Sequence, residues 1–530
     1  MSKTLRIVLI SAAVLIVGGG IFAWAWFSKH TSDVHLNYIP KDAAAVFSLH
    51  SREIATKIDP TKLVTDKKAT YATNDIPDFL MNIMAEPMST GIDPVQNVYG
   101  FVAKQDQSTA SALVLAVNDA SDFSAFVKRM FPDRTIEEGD NSEYLDIDEN
   151  RAIVWNDEAA IFISTDAMDV RAYGEKLFAQ GEAGSIKNDE GFSTFNAKTF
   201  DAGLYTDNRK LSGLNMETSA LALIGMGQGH SEFFMRFEQN EIVTEFVNSG
   251  TSQPALTQAA GPSAEDLKLL GMKDPLIYIG TNFNVQNLLT SASNDPMMSE
   301  NVEGITAGLG LTQEQMAKLF TGTMTAAVTD YRDIYATDPR VQKETAAIMG
   351  PMDQFGEIGA MFQNMLSIEV PITVISFGIS NEKMATSVIE SLGMKLQEDG
   401  FYAAPGVEMV IYAAIKSNHL IITNDYVSAQ TIMKEGQMSG KLPADYASKV
   451  PAQPFSLWMD LEKTHMPELL LNPKSPLLDP ADLKSYTGLS DIFNGIRFES
   501  TATSSTFHFS MPASEENSLM RMIRYTSSEE

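Results

Sequence analysis

The chain has 530 residues, 44% of them hydrophobic and 20% charged, the balance of a folded protein rather than a disordered one. With 39 basic against 68 acidic residues its formal charge is −29, which argues against nucleic acid or an anionic membrane surface as its main partner. The absence of cysteine excludes a disulfide framework, a thiolate metal site, a thiol nucleophile and a lipid-bearing cysteine.

At the N-terminus, Lys3 and Arg6 precede an uncharged apolar run from Ile7 to Phe27. As a helix this run spans about 30 Å, the thickness of a bilayer's hydrocarbon core. Trp24 and Trp26 stand at its far end, where amphipathic rings favour the interface. Lys3 and Arg6 place the N-terminus in the cytoplasm, although Lys29 weakens the charge asymmetry. The expectation is a single-pass inner-membrane anchor: residues 1–6 cytoplasmic, 7–27 spanning, 28–34 a linker, and the body in the periplasm. A cleaved signal peptide is the alternative, on the A-x-A pattern of Ala23 and Ala25.

Beyond the linker the same series of elements occurs twice. Lys41-Asp42 and Lys273-Asp274 each lead into an apolar strand and then a helix. NVYGFVA (97–103) and TMTAAVT (323–329) read as strands after polar turns. ALVLAV (112–117) and TVISFGI (373–379) each run into an amphipathic helix with Asp or Asn near its N-cap. Three short strands follow, at 144–147, 152–155 and 160–164 against 402–404, 409–413 and 420–423. IFISTD (161–166) parallels LIITND (420–425), GLYTD (203–207) parallels SLWMD (456–460), and Arg236-Phe237-Glu238 parallels Arg497-Phe498-Glu499.

The predicted fold is therefore α+β: two tandem related halves, 35–255 and 264–514, joined by a linker at 256–263 and ending in a tail at 515–530. Hairpin-rich strands imply mainly antiparallel sheets, with helices covering one face. The second half carries a Met-rich segment containing Met349, Met352, Phe355, Met361, Phe362 and Met365. Flexible thioethers fill cores or make adaptable contacts with a partner, lipid or peptide.

Signals for chemistry are weak. The seven histidines include no pair three or four residues apart and no HExxH, which disfavours a zinc hydrolase. His50 and His419 read as hydrogen-bonded or solvated side chains at a strand end and a hairpin. Asp146-x-Asp148-x-Asn150 begins like a calcium loop, but Arg151 replaces the required glycine, so a hairpin is expected. Ser380-x-x-Lys383 falls on a predicted helix cap, and Gly225-x-Gly227-x-Gly229 precedes a strand instead of following one. No catalytic, cofactor-binding or metal-ligating residue is assigned, and no cofactor is expected.

YIPKDAAAVFSLH, STGIDPVQNVYGFV and the strand after LGLTQEQMAKLFTGTM resemble the DUF4836 family of exported Bacteroidota proteins, over most of residues 36–510. The resemblance implies a Gram-negative envelope location, and no activity or catalytic residue carries across from it. The expected function is a non-enzymatic envelope protein that binds a partner or scaffolds an assembly. The alternatives are a carrier of a lipid or hydrophobic peptide, marked by an apolar cavity with the Met-rich segment at its mouth, and a hydrolase with a motif-free site between the halves.

Overall fold

A computed structural model describes residues 33–58, 83, 89–105, 108–139, 141–165, 169–211, 229–249, 260–270, 275–294, 296–333, 338–349, 369–404, 411–435, 444–462, 490–501 and 503–528. They fall into two compact units, one running to Ser252 and including Ala513–Glu530, the other Gln253–Pro512. Among the described residues no helix is long and apolar enough to cross a membrane. The run Ile7–Phe27 lies outside them, as do Lys3, Arg6, Trp24 and Trp26.

The strands of the first unit are β1 (Ala43–Leu49), β2 (Val98–Gln105), β3 (Ser108–Ala116), β4 (Glu137–Glu138), β5 (Glu143–Asp148), β6 (Arg151–Trp155), β7 (Ala159–Thr165), β8 (Ala202–Asp207), β9 (His230–Phe237) and β10 (Glu241–Asn248). They pair in the order β4-β5-β6-β7-β3-β2-β1-β8-β9-β10, antiparallel throughout. Among the helices that accompany them are α1 (Ser51–Lys57), α2 (Ala120–Met130), α3 (Val170–Ala179) and α4 (Glu190–Asn196).

Helices cover both faces of this sheet, not the single face expected from the strand pattern. Residues i and i+2 of a strand share a face, so Val114, Val154, Ile161 and Ile163 meet α3, α4 and the turn Val34–Tyr38. Leu115, Ile153, Trp155, Ala160 and Phe162 face the opposite way, beneath α2. The physical reason is visible in β7, where both sets of alternate residues are buried and water can reach neither face. Gly174 lets α3 sit close to the sheet, since a Cβ there would fall 2.6 Å from Cγ2 of Val154. Each long covering helix starts on a side-chain cap; Asp119 accepts the amide of Asp122 at 2.9 Å to begin α2.

The C-terminal helix Ser518–Ser528 belongs to this first unit, with Leu519, Met520 and Ile523 buried. Asn517 donates its amide to the carbonyls of Phe237 and Glu238, both at 3.2 Å. A buried ion pair ties α1 to β8 and β9. Lys57 Nζ lies 2.8 and 2.7 Å from the two carboxylate oxygens of Asp201, and the Phe237 amide donates to the same carboxylate at 2.5 Å. Burial pushes the Asp201 pKa up even so, against the pull of Lys57 and the Phe237 amide.

The second unit contains β11 (Ile277–Asn282), β12 (Phe320–Asp333), β13 (Glu369–Ile379), β14 (Lys395–Leu396), β15 (Tyr402–Ala403), β16 (Tyr412–Lys416), β17 (His419–Thr423), β18 (Phe455–Asp460), β19 (Gly495–Ser500) and β20 (Ser504–Ser510). The pairing order is β14-β15-β16-β17-β13-β12-β11-β18-β19-β20, again antiparallel. It is the order of the first unit with each strand number raised by ten. The strand expected at 409–413 lies instead at Tyr412–Lys416. Its register is set by the two-residue turn Ser417-Asn418, whose φ values of 50° and 59° make the twisted connection that antiparallel hairpins favour.

Helices again lie on both faces. α5 (Ala264–Leu270) packs with Tyr278, Val374 and Ile421 on one. The other face receives α6 (Val285–Asn294), α7 (Pro296–Leu309), α8 (Gln313–Leu319) and α9 (Glu382–Ser391). Asn381 caps α9 by accepting the Met384 amide at 3.0 Å, and α8 begins in a capping box of Thr312 and Gln315. His419, at the hairpin, binds Asp266 of α5 at 2.8 Å and the Ser417 carbonyl at 2.8 Å. Burial disfavours the charged imidazole, but these partners outweigh it and the His419 pKa is raised. For Asp266 burial is likewise outweighed, by His419 and Ser263, and its pKa is lowered.

Two predictions follow from these ion pairs. Lys57→Met leaves the Asp201 carboxylate buried and uncompensated, with an expected loss of about 3–5 kcal/mol in urea unfolding; Lys57→Met with Asp201→Asn recovers a large part of it. For the second pair, the raised His419 pKa stabilises the fold below the unfolded value of 6.5 and loses this contribution as pH rises through the folded pKa. The lowered Asp266 pKa stabilises above 3.8 and loses its contribution as pH falls through the folded value. The pair therefore stabilises most between these limits, and denaturation series against pH should flatten there in His419→Gln.

Candidate functional site

Between the α6–α9 face of the second unit and its sheet lies an apolar cavity of about 740 Å³. The sheet contributes Met324 of β12, Phe377 of β13, Ala413 of β16, and Leu420 and Ile422 of β17. Leu288, Leu289, Leu309 and Met316 enter from α6 to α8, and Val388, Ile389 and Leu392 from α9. The strand positions alternate, as they must to share one face. Val388, Ile389 and Leu392 follow helical spacing, so one stripe of α9 forms the roof.

A bulge shapes the wall. Phe320 pairs with Ile379 and Met324 with Phe377, so residues 321–323 of β12 oppose Gly378 alone. Gly322, at the apex, has φ 101°, a left-handed conformation that favours glycine. Gly378 makes room beneath, where a Cβ would fall 2.2 Å from Oγ1 of Thr321. The Gly322 carbonyl accepts the amide of Phe283 at 2.9 Å, which fixes the entry to α6. In the first unit β2 and β3 pair without such a step from Tyr99–Val114 to Gln105–Ser108.

Among the described residues the lining contains no titratable side chain, and Thr323 supplies its only hydroxyl. Those residues can bury hydrocarbon and offer no general acid or base. Leu392 forms part of the wall and is also 49% exposed. Among the described residues the few large exposed hydrophobics include this leucine and Leu396, four positions further on. The charged partners His419 and Asp266 stand outside the lining, although Leu420 follows His419 directly.

Sequence reasoning named none of these wall residues. Of the Met-rich segment, Met349 ends the helix Pro339–Met349, while its side chain and Met352, Phe355, Met361, Phe362 and Met365 lie outside the described residues. The calcium-like string is a hairpin turn: Asp148 accepts the Asn150 amide at 3.0 Å and pairs with Arg151 at 2.6 Å. Ser380 directs its hydroxyl to the carbonyls of Lys318 and Leu319, next to the capping Asn381. Of the glycine string, Gly229 alone is described, immediately before β9. His50 stacks on Phe200 with ring centroids 3.9 Å apart, and burial lowers its pKa. Among the described residues no cluster of His, Asp or Glu is arranged to hold a metal ion.

No curated protein matches the chain. Solved structures described as crystal forms III and I of TP0453 are similar over 42% and 43% of this chain and 83% of theirs, at 11% identity and TM-scores of 0.28 and 0.26. Likenesses this slight carry no argument about function. Residues 35–258 match the family described as Domain of unknown function (DUF4836), which supports for the first unit the family resemblance read from its sequence.

Proposed function

We propose that the protein is a membrane-anchored carrier that holds the acyl chain of a lipid in the cavity of its second unit. The observation carrying this reading is the cavity itself: about 740 Å³ of space whose described lining is hydrocarbon, with one hydroxyl and no charge among the described residues. That volume falls in the range of about 300–1,000 Å³ typical of ligand sites. An empty apolar space of this kind weakens a fold, because its lining atoms lose their packing partners. A buried chain restores those contacts.

The same wall argues against a hydrophobic peptide. Each peptide N–H or C=O buried without a partner costs about 1–3 kcal/mol, and one threonine cannot satisfy a peptide backbone. An amphiphile has no such difficulty if its tail enters beside Leu392 and its head stays in water. Within this proposal the N-terminal run Ile7–Phe27 tethers the carrier to the inner membrane, with its body in the envelope. We also infer that the two units arose by duplication, a reading supported by their common strand order and by Asp119 and Asn381 capping corresponding helices.

Binding driven by hydrocarbon burial should strengthen with chain length. About 0.8 kcal/mol per methylene corresponds to roughly fourfold in Kd. Full-length protein in amphipol, titrated with saturated fatty acids from octanoate to stearate against a fluorescent fatty acid, should show this rise and then a plateau. Mass spectrometry of organic extracts should also recover an acyl lipid in stoichiometric amount. A flat length profile together with an empty extract would rule the carrier reading out.

A further inference from the structure

The two units share one strand order, so hydrogen-bond register identifies which side chains stand at equivalent places. In the first unit Ala160 of β7 lies between Leu115 of β3 and Trp155 of β6; in the second, Leu420 of β17 lies between Phe377 and Ile415. Two residues along, Phe162 lies opposite Ile153, and Ile422 opposite Ala413. A further hydrogen bond agrees with this alignment: the amide of Val117 donates to the Glu158 carbonyl, and that of Ile379 to the Asn418 carbonyl. The helices correspond by their caps. Phe123 and Phe126 stand four and seven residues after Asp119, as Ala385 and Val388 do after Asn381.

These equivalences locate a difference in side-chain bulk between the units, in the space beneath α2 and α9. In the first, the space between α2 and the sheet is occupied by rings: Phe123 lies 5.5 Å from Trp155 and 6.5 Å from Phe126, centroid to centroid. Phe123 and Trp155 are fully buried and Phe126 is 1% exposed. Trp155 is held in place by donating its indole N–H to Ser124 at 2.9 Å. In the second unit the counterparts shrink: Phe123 to Ala385, Phe126 to Val388, Ile153 to Ala413 and Trp155 to Ile415. Leu115 to Phe377 and Ala160 to Leu420 go the other way on the sheet side, and Val127 to Ile389 adds one methylene to the roof, less than the two rings that α9 lacks. Val388 and Ala413 are themselves part of the cavity wall.

We propose that Val388 and Ala413 set the depth of the cavity and so the longest acyl chain it accepts, the first unit being the same architecture closed by aromatic side chains. The inference rests on the acyl-chain reading above. It makes the counterparts in the first unit the substitutions that refill the space: Val388→Phe on the roof and Ala413→Ile on the floor. Each methylene kept out of the cavity weakens binding roughly fourfold.

The test measures displacement of cis-parinaric acid by octanoate and by palmitate from the full-length protein in amphipol, in wild type, Val388→Phe and Ala413→Ile, with thermal unfolding recorded for each. The expected result is palmitate binding weakened at least about tenfold in Val388→Phe and less in Ala413→Ile, with octanoate within about twofold of wild type. Folded variants whose palmitate affinity equals that of wild type overturn the inference. If wild type binds neither acid, the carrier reading falls while the assignment of depth is still decided by stability. A ring that fills empty space, as Phe126 does in the first unit, raises the unfolding midpoint. A lowered midpoint in both variants shows that no such space exists there.

Discussion

The constraint on which both units depend is that the central strands of each sheet are apolar on both faces. A strand such as β7, buried at almost every position, cannot border water on either side. Each face must be covered, and covering helices must be brought to it by connections that leave and re-enter an antiparallel sheet. The capped helices α2 and α9 meet that need directly: each begins just after a central strand and folds back across the face. What lies between helix and sheet is then a separate matter from the topology.

That separation is what gives the second unit its site. Strand order, cap and helix stripe can be kept while side-chain bulk is withdrawn, because backbone hydrogen bonding and capping do not depend on residue size. Where α2 presents phenylalanines, α9 presents alanine and valine, and the bulge at residues 321–323 of β12 alters the wall of the same space. A void of this kind is tolerable when neighbouring contacts are strong or when a ligand completes the packing. Leu392 belongs at once to that wall and to the surface.

The ion pairs described in the molecule hold elements together, and their residues stand outside the cavity lining. Lys57 and Asp201 join α1 to the far strands of the first sheet, and His419 and Asp266 join the β16–β17 hairpin to α5. Tyr99, deep in the first unit, shares Asp33 and Asn196 as hydrogen-bond partners, and burial pushes its pKa up. These groups sit beneath or beside the sheets, where full satisfaction of each polar atom matters more than reactivity. Charge thus stabilises the frame, and hydrocarbon lines the space within the second unit.

Much of this frame was legible in the sequence. Alternating apolar strands, Asp119 and Asn381 ahead of amphipathic helices, and landmarks recurring in the same order are local signals, set by period and by capping chemistry. The exchange of Phe123 and Phe126 for Ala385 and Val388 lies within two strings that share a cap and a helical stripe, and neither signal reports side-chain bulk. Tertiary structure decided the rest. Matching IFISTD to LIITND aligns Ile161 with Leu420, whereas the hydrogen-bond register aligns Ala160 with Leu420. One residue moves a side chain to the opposite face of a sheet, so string similarity could not tell which residues look into the cavity. Nor could it tell that helices cover both faces, since a strand's periodicity reports burial and not what does the burying. Sequence determined which segments are strands and helices; only their packing determined that one pair of layers closes on aromatic rings and the other on empty space.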